Sequence, residues 1–476
     1  MKFAYFALGA VLASAIYLGI PKAMRDQRAS PATAPIVGYT ARTDTRPEPL
    51  PDPPISIGPA GSIVQDRAFG SRILRVTDTH TMPGASGVSL MTPGSPMANT
   101  WNKTATRFFG LTRGGSTPVF DFDPVQMKAH YTGLDLSQSP RWSEAEFSHV
   151  NPDIIYGIAR EPGGGRFRFQ QYDFSTRRVT DLGDPARCVK MEPGWGAMDL
   201  GVSADGSRFL AALGPEQDKD PIIYVEDLKL GCRWYNTLTG EVGGEWGPRG
   251  TISTPERYGV HFAGLSPSGD YVVVGAGGGA RGGFWRVDST GLEPCRVLCG
   301  GHAVLGYAHF LNNAASEDEA DTRIRPLNRL NDPNSIIKLV PQYPRGRAWG
   351  VDRHYSWNND DPGDTAPVCG STYVNPDSAV FEAARRAHPE LAQTAPPIAR
   401  AWDNEVVCIE TDRKAFKVWR FGHTFSTATN GFWSTPRGNV SQDGRFYMFT
   451  SDWLNTLGDD PDKKGHRVDI FVVELK

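Results

Sequence analysis

Glu144, Asp199, Tyr307, His354 and Arg437 each stand four residues before the same point of a recurring turn, and Glu146, His309 and Asn439 stand two residues before it. Phe262 shares the first offset, with His261 beside it and His302 nearby, both off the strict register. Side chains of a strand alternate faces, so even offsets put these groups on one face of their strands. The residue types suit proton transfer. Removing a proton next to a carboxylate needs a cation to neutralise that carboxylate and a base placed on the proton. Arg437 is the candidate cation, and His309, His354 and Tyr307 are the candidate bases; these four are the catalytic expectation. Asp199, His261, Asn439 and Glu144 are the candidate ligand-binding groups. The competing reading is structural: a Tyr or His on an inner strand is often a hydrogen-bonded packing residue, and an Arg there often pairs with a carboxylate such as Asp199.

The elements that would position these groups show themselves by repetition. Val202-Ser203-Ala204-Asp205-Gly206, Leu265-Ser266-Pro267-Ser268-Gly269 and Val440-Ser441-Gln442-Asp443-Gly444 are one motif, each followed by an alternating apolar run. This is a tight hairpin, with a strand ending at the Ser and a Gly supplying positive φ. Weaker copies run from Trp101, Phe147, Phe310 and Trp357. Anchors at 101, 147, 202, 265, 310, 357 and 440 lie 45 to 63 residues apart, with a final interval of 83. That spacing fits four-stranded antiparallel blades with loop insertions. The expectation is an all-β chain, a seven-bladed β-propeller over residues 62–476, with a small helical insertion at 379–392 inside the long interval. A terminal strand, Asp469-Ile470-Phe471-Val472-Val473-Glu474-Leu475, and an early one, Arg72-Ile73-Leu74-Arg75-Val76, would complete one blade together and remove its open edge.

These turns resemble the Tol-type and WD-like β-propeller repeats, whose blades carry the same apolar-Ser-Pro-Asp-Gly pattern. The turns, and Phe449-Thr450-Ser451-Asp452 after the last of them, also resemble the oligogalacturonate lyases. That resemblance implies a divalent metal held by histidines; at the positions of the paired histidines before the last turn this chain has Thr435 and Arg437. His309, His354 and a carboxylate are the alternative ligands, and the metal and any cofactor stay unassigned.

Lys and Arg number 50 against 53 Asp and Glu, a net charge of −3, so no global field attracts nucleic acid. Residues 1–21 read as a signal peptide or membrane anchor, with an apolar run from Phe3 to Ile20 and Ala13-Ser14-Ala15 as a cleavage site; residues 22–61 read as a proline-rich linker. Both place the folded part outside the cytoplasm, in a periplasm or on a cell surface. Six cysteines then permit disulfides in 15 pairings, with free buried thiols as the alternative. The glycines from Gly275 to Gly283 lack a following Lys-Ser/Thr and read as a loop, and Glu317-Asp318-Glu319 reads as a solvated acidic turn. Two function classes follow. In one, the propeller binds an extracytoplasmic ligand in its central channel, an acidic glycan, with polyuronate lyase activity as the enzymatic form. In the other, it is a non-catalytic scaffold for an envelope protein.

Overall fold

The computed structural model describes residues 38–51, 53–84, 87–95, 97–160, 166–215, 219, 221–251, 260–275, 282–296, 303–313, 322–340, 351–374, 401–414, 416–428, 432–461 and 465–476. The expected helix at 379–392 and the apolar run Phe3 to Ile20 lie outside them. Among the described residues no helix is long and apolar enough to cross a membrane.

The chain forms a seven-bladed β-propeller of antiparallel blades. Blade one comprises Trp101, bridged to Phe108, then Arg107–Phe109, Pro118–Asp123 and Lys128–Asp135. Blade two is Trp142–Phe147, Ile154–Arg160, Phe167–Asp173 and Arg178–Gly183. Blade three runs Gly196–Val202, Arg208–Gly214, Ile222–Asp227 and Gly231–Asn236, and adds Glu241–Gly244 and Gly250–Thr251 outside. Blade four starts at Phe262–Leu265, blade five at Ala303–Leu305 and blade six at Val351–Ser356. Blade seven joins both ends of the chain: Gly438–Val440, Phe446–Ser451 and Asp469–Glu474 pair onward to Arg72–Arg75 and Ile63–Gln65. The closure expected from the terminal strands is therefore present. Arg72 reaches Glu474 at 2.8 Å and Arg75 reaches Asp469 at 2.6 Å across the joint.

Each blade is apolar on both sides because each side packs on a neighbour. The core accordingly divides into seven clusters, one between every adjacent pair of blades. The recurring turn has one local cause. The Oγ of Ser203, Ser266 and Ser441 accepts the N–H five residues on, from Arg208, Tyr271 and Phe446, at 2.9 to 3.1 Å, and Asn102 Oδ1 does the same for Arg107 at 3.0 Å. Gly206, Gly269 and Gly444 take the left-handed φ of 70 to 77° that completes it.

In blade five the structure differs from the expected register. The inner strand is Ala303–Leu305, and the anchor chosen at Phe310 belongs to the second strand, His309–Asn313. The hairpin between them is tighter, closed by Gly306 N–H on His309 O at 2.9 Å, and has neither the Ser nor the left-handed Gly of the other turns. An apolar-Asn pair in the next strand imitated the missing motif. Tyr307 is consequently a turn residue and His309 opens the second strand.

Inner strands all start on one face of the ring, the mouth face, and end on the other, the turn face. A four-stranded meander sends its first and third hairpins to the turn face, and its central hairpin and blade-to-blade links to the mouth face. Among the described residues, the long connections that hold 87–95 and 184–195 thus belong to the mouth face. The proline-rich stretch expected as a spacer packs, from residue 38 onward, against the ring: Tyr39, Leu50, Ile55 and Ile57 lie on the cluster between blades six and seven.

Candidate functional site at the mouth of the central channel

The inner strands of blades two and three are irregular where the repeat predicted functional groups. Pairing slips between Trp142 and Glu144 and again between Met198 and Gly201. Each bulge re-aims a carboxyl side chain. Asp199 sits in the left-handed region at φ 59°, a conformation that non-glycine residues adopt only when their surroundings hold it. Here its Oδ2 accepts the Ala263 N–H of blade four at 2.9 Å.

Glu144, Glu146 and Asp199 line a channel cavity of about 70 Å³, room for a few waters, with Met97, Leu305 and Asn358 opposite. Burial pushes Glu144 up to about 7, with Arg160 opposing the shift. Burial and then the neighbouring Glu144 push Asp199 up to about 7. Glu146 is raised well above the ordinary range by burial, despite the N–H groups of Val202 and Asn99. Glu144 and Asp199 keep partial exposure, whereas Glu146 is buried. Two coupled carboxyls that titrate near neutrality can give and take protons at physiological pH.

A polar plug closes the turn-face end. Lys103 Nζ donates to Asp360 Oδ2 at 3.0 Å and to the His149 carbonyl at 2.7 Å; His149 Nδ1 lies 2.8 Å from Asp360 Oδ1, and Gln442 Nε2 lies 2.9 Å from His149. These four residues come from blades one, two, six and seven and meet across the axis.

At the mouth, Arg437 lies fully buried with its guanidinium 4.1 Å from the Phe432 ring centroid and 4.8 Å from that of Trp433. The buried His354 ring stands edge-on to Phe432 at 6.0 Å. Phe432 and Trp433 themselves are exposed, at 45% and 42%. They rest over Gly94, where a Cβ would meet both rings at 3.7 to 3.8 Å, one residue before the cavity-lining Ser95.

The predicted residues therefore fall into separate groups. Glu144 and Asp199 come together in the channel. His354 and Arg437 share Phe432 at the mouth. Asn439 Nδ2 donates to Ala98 O at 3.0 Å, joining blade seven to blade one, and His261 is exposed just before the inner strand of blade four. Tyr307 and His309 lie at the turn face, away from Arg437, so the expected ring of His309, His354, Arg437, Tyr307 and Asp199 at one height does not form. The register of blade five is the reason. His309 is also fully engaged: Arg413 can only donate to Nε2, at 3.1 Å, so the ring proton is on Nδ1 and goes to Asp364 at 2.8 Å. Tyr307 is pushed up to about 12, by burial first and then by carboxylates including Asp360. Arg437 is not seen to pair with Asp199: its guanidinium donates to Phe432 O and to Thr435 Oγ1 and lies against the two rings. The repeat gave no sign of Phe432 and Trp433, but His149 follows Ser148 directly and was legible as a turn-face position.

No family model and no curated protein matches the sequence. Among solved structures, an oligogalacturonate lyase in complex with manganese superposes with a TM-score of 0.51 at 11% identity, over 92% of this chain and 99% of that one. The likeness is one of fold. An oligogalacturonate lyase from Vibrio parahaemolyticus gives 0.49 at 9% identity, over 91% and 98%, and TolB from Acinetobacter baumannii gives 0.29 at 12%, over 60% of each. A manganese-like metal does not fit the residues present here. Thr435 donates its hydroxyl to Phe432 O, and Arg437 brings a fixed positive charge to the place where the resemblance implies histidine ligands. Among the described residues the one close group of potential ligands is Cys188, Cys232 and Glu245, and its two sulfurs form a disulfide.

Proposed function

We propose that this chain is an exported propeller that binds a glycan at the mouth of its channel, with Glu144 and Asp199 as a proton-exchanging carboxyl pair. The observation that carries the reading is the juxtaposition of two exposed aromatic rings with a dead-end cavity lined by carboxyls. Sugars offer apolar ring faces to the first and hydroxyls to the second. No Lys or Arg lines the described cavity, which has room for a few waters only, so the sugar rests on the rings at the mouth and only a hydroxyl or amine substituent reaches the carboxyls, a uronate carboxylate staying outside. Lyase action on polyuronates, the activity named for the solved neighbour, is the enzymatic form of the proposal. Export is supported by the apolar Phe3 to Ile20 run and by the disulfides Cys188–Cys232 and Cys369–Cys408. Cell fractionation that left the oxidised protein in the cytosol would remove that part.

The test is calorimetric titration of the full chain with oligogalacturonate, xylo-oligosaccharide and chitosan oligomers, with absorbance of an unsaturated uronide monitored for the first. Binding that disappears in Trp433→Ala supports the mouth site; no binding to any of the three removes the glycan reading. The scaffold reading retains one specific support, the exposed Val125, Val150, Leu228 and Leu230 on the turn face of blades one to three.

A further inference from the structure

Blade six ends on an outer strand, Val418–His423, and the chain from Gly38 to Leu50 is laid along it. Arg420 N–H donates to Arg42 O at 2.9 Å, and the Arg420 side chain reaches the carbonyls of Asp44 and Arg46. At the end of this strand His423 is buried, 1% exposed. Its Nδ1 lies 2.9 Å from Asp66 Oδ2 and its Nε2 lies 3.1 Å from the carbonyl of Glu48. Both partners only accept, so both ring nitrogens must donate, and the ring that satisfies them is the imidazolium.

The surroundings agree with a cation at that place. Asp66 is itself buried and also accepts the backbone N–H of His423 and of Ala68, at 2.8 and 3.0 Å. Glu405 adds a further negative charge but is held by Arg420 at 2.6 and 2.7 Å. Arg42 sits over one side of the Phe69 ring at 5.2 Å, bound to Asp44 and to Glu48, and Arg420 lies 5.1 Å from the same ring. Phe69 packs edge-on to His423 at 5.0 Å, and Phe425 lies 5.7 Å away. The carboxylates raise the imidazole above its ordinary value and the imidazolium holds Asp66 below its own, although burial works against both.

We propose that the stretch Arg42 to Leu50 is a pH-sensitive clasp, shut on blade six while His423 keeps its proton and released when the proton is lost. A neutral ring can donate from one nitrogen only. It then faces either the Glu48 carbonyl or the Asp66 carboxylate with a lone pair, and the cheapest relief is for the Glu48 segment to lift away. The stretches around it stay anchored: Tyr39 Oη donates to Gly444 O at 2.9 Å, and Trp453 Nε1 donates to Ile55 O at 2.7 Å. Opening is therefore local, and it uncovers the outer strand of blade six, whose free N–H and C=O groups can pair with another extended chain.

The sign is fixed by the direction of the shift. A histidine raised on folding keeps the clasp fully shut below its ordinary value near 6.5 and loses it as the pH rises through the folded value. Hydrogen exchange of the full-length oxidised protein, read on the Arg420 amide that donates to Arg42 O between pH 6 and pH 9.5, tests this. Protection factors, corrected for intrinsic exchange, should fall at least tenfold across that range, while peptides in Met448–Val472 of blade seven stay constant. In His423→Gln the 42–50 stretch should be open at every pH; if this variant does not fold, Asp66→Asn serves, moving the opening to lower pH. Constant protection across the range in the wild type, or a pH-dependent opening that persists unchanged in the folded variant, overturns the proposal.

Discussion

The two faces of the ring are built from the same strands and differ in almost everything else. On the turn face, short hairpins repeat one hydrogen-bond pattern, and four blades lock together through Lys103, His149, Asp360 and Gln442. On the mouth face the connections are long and unlike one another, aromatic rings stand in solvent, and carboxyls are held near neutrality. Hydrogen bonds that tie four blades together make the first face rigid. The disulfide Cys369–Cys408 joins the neighbouring strands Val368–Val374 and Glu405–Ile409 of blade six, on either side of a long connection.

Five sets of changes would break or sharpen the contrast. Replacing Cys369 and Cys408 by Ala should cost the most, about 4 kcal/mol by loop-closure entropy for a sequence separation of 39, read as a lower denaturation midpoint against the oxidised wild type. An unchanged midpoint would mean that the mouth connection needs no staple. Asp360→Ala strips the plug of its carboxylate and leaves Lys103 and His149 facing each other. About 2 kcal/mol of stability should be lost, with glycan binding retained by the folded fraction. If binding vanished while stability held, the plug would belong to the site.

Glu144→Gln and Asp199→Asn should act in the opposite sense. Both carboxyls are raised on folding, so their contribution is fully present below about pH 4 and is lost as the pH rises through about 7. Each neutral variant should therefore match the wild type below about pH 4 and exceed it by about 1 to 2 kcal/mol at pH 8 by thermal or chemical denaturation. Any activity depending on the pair should fall at least a hundredfold. A wild-type stability curve that is flat between pH 5 and 8 would contradict the coupled pair. The smallest effects separate the faces most cleanly. Ser266→Ala removes the acceptor for Tyr271 N–H and should cost about 1 kcal/mol without changing glycan affinity. Trp433→Ala should leave stability within about 0.5 kcal/mol and weaken glycan binding roughly tenfold.

How much of this was legible in the chain follows the same boundary. Turn-face geometry is local: Ser441, Gly444 and Phe446 lie within six residues, so three strong copies sufficed to count blades and set the register of Glu144, Asp199, His354 and Arg437. Where the local rule was relaxed, at Gly306 to Ala308, the register slipped and carried Tyr307 and His309 to the wrong strand. The closing of blade seven was legible because strand patterning at both termini is also local.

The sequence by itself thus determined the propeller and the number of its blades, since both depend on alternation and turn chemistry within a few residues. Only the tertiary structure decided what the side chains meet. Arg437 finds Phe432 and Trp433 instead of Asp199, His309 surrenders both nitrogens to Asp364 and Arg413, and His423 meets Glu48 and Asp66, more than 350 residues away in the chain. Partners brought together by ring closure leave no periodic trace in the chain, because nothing local depends on them.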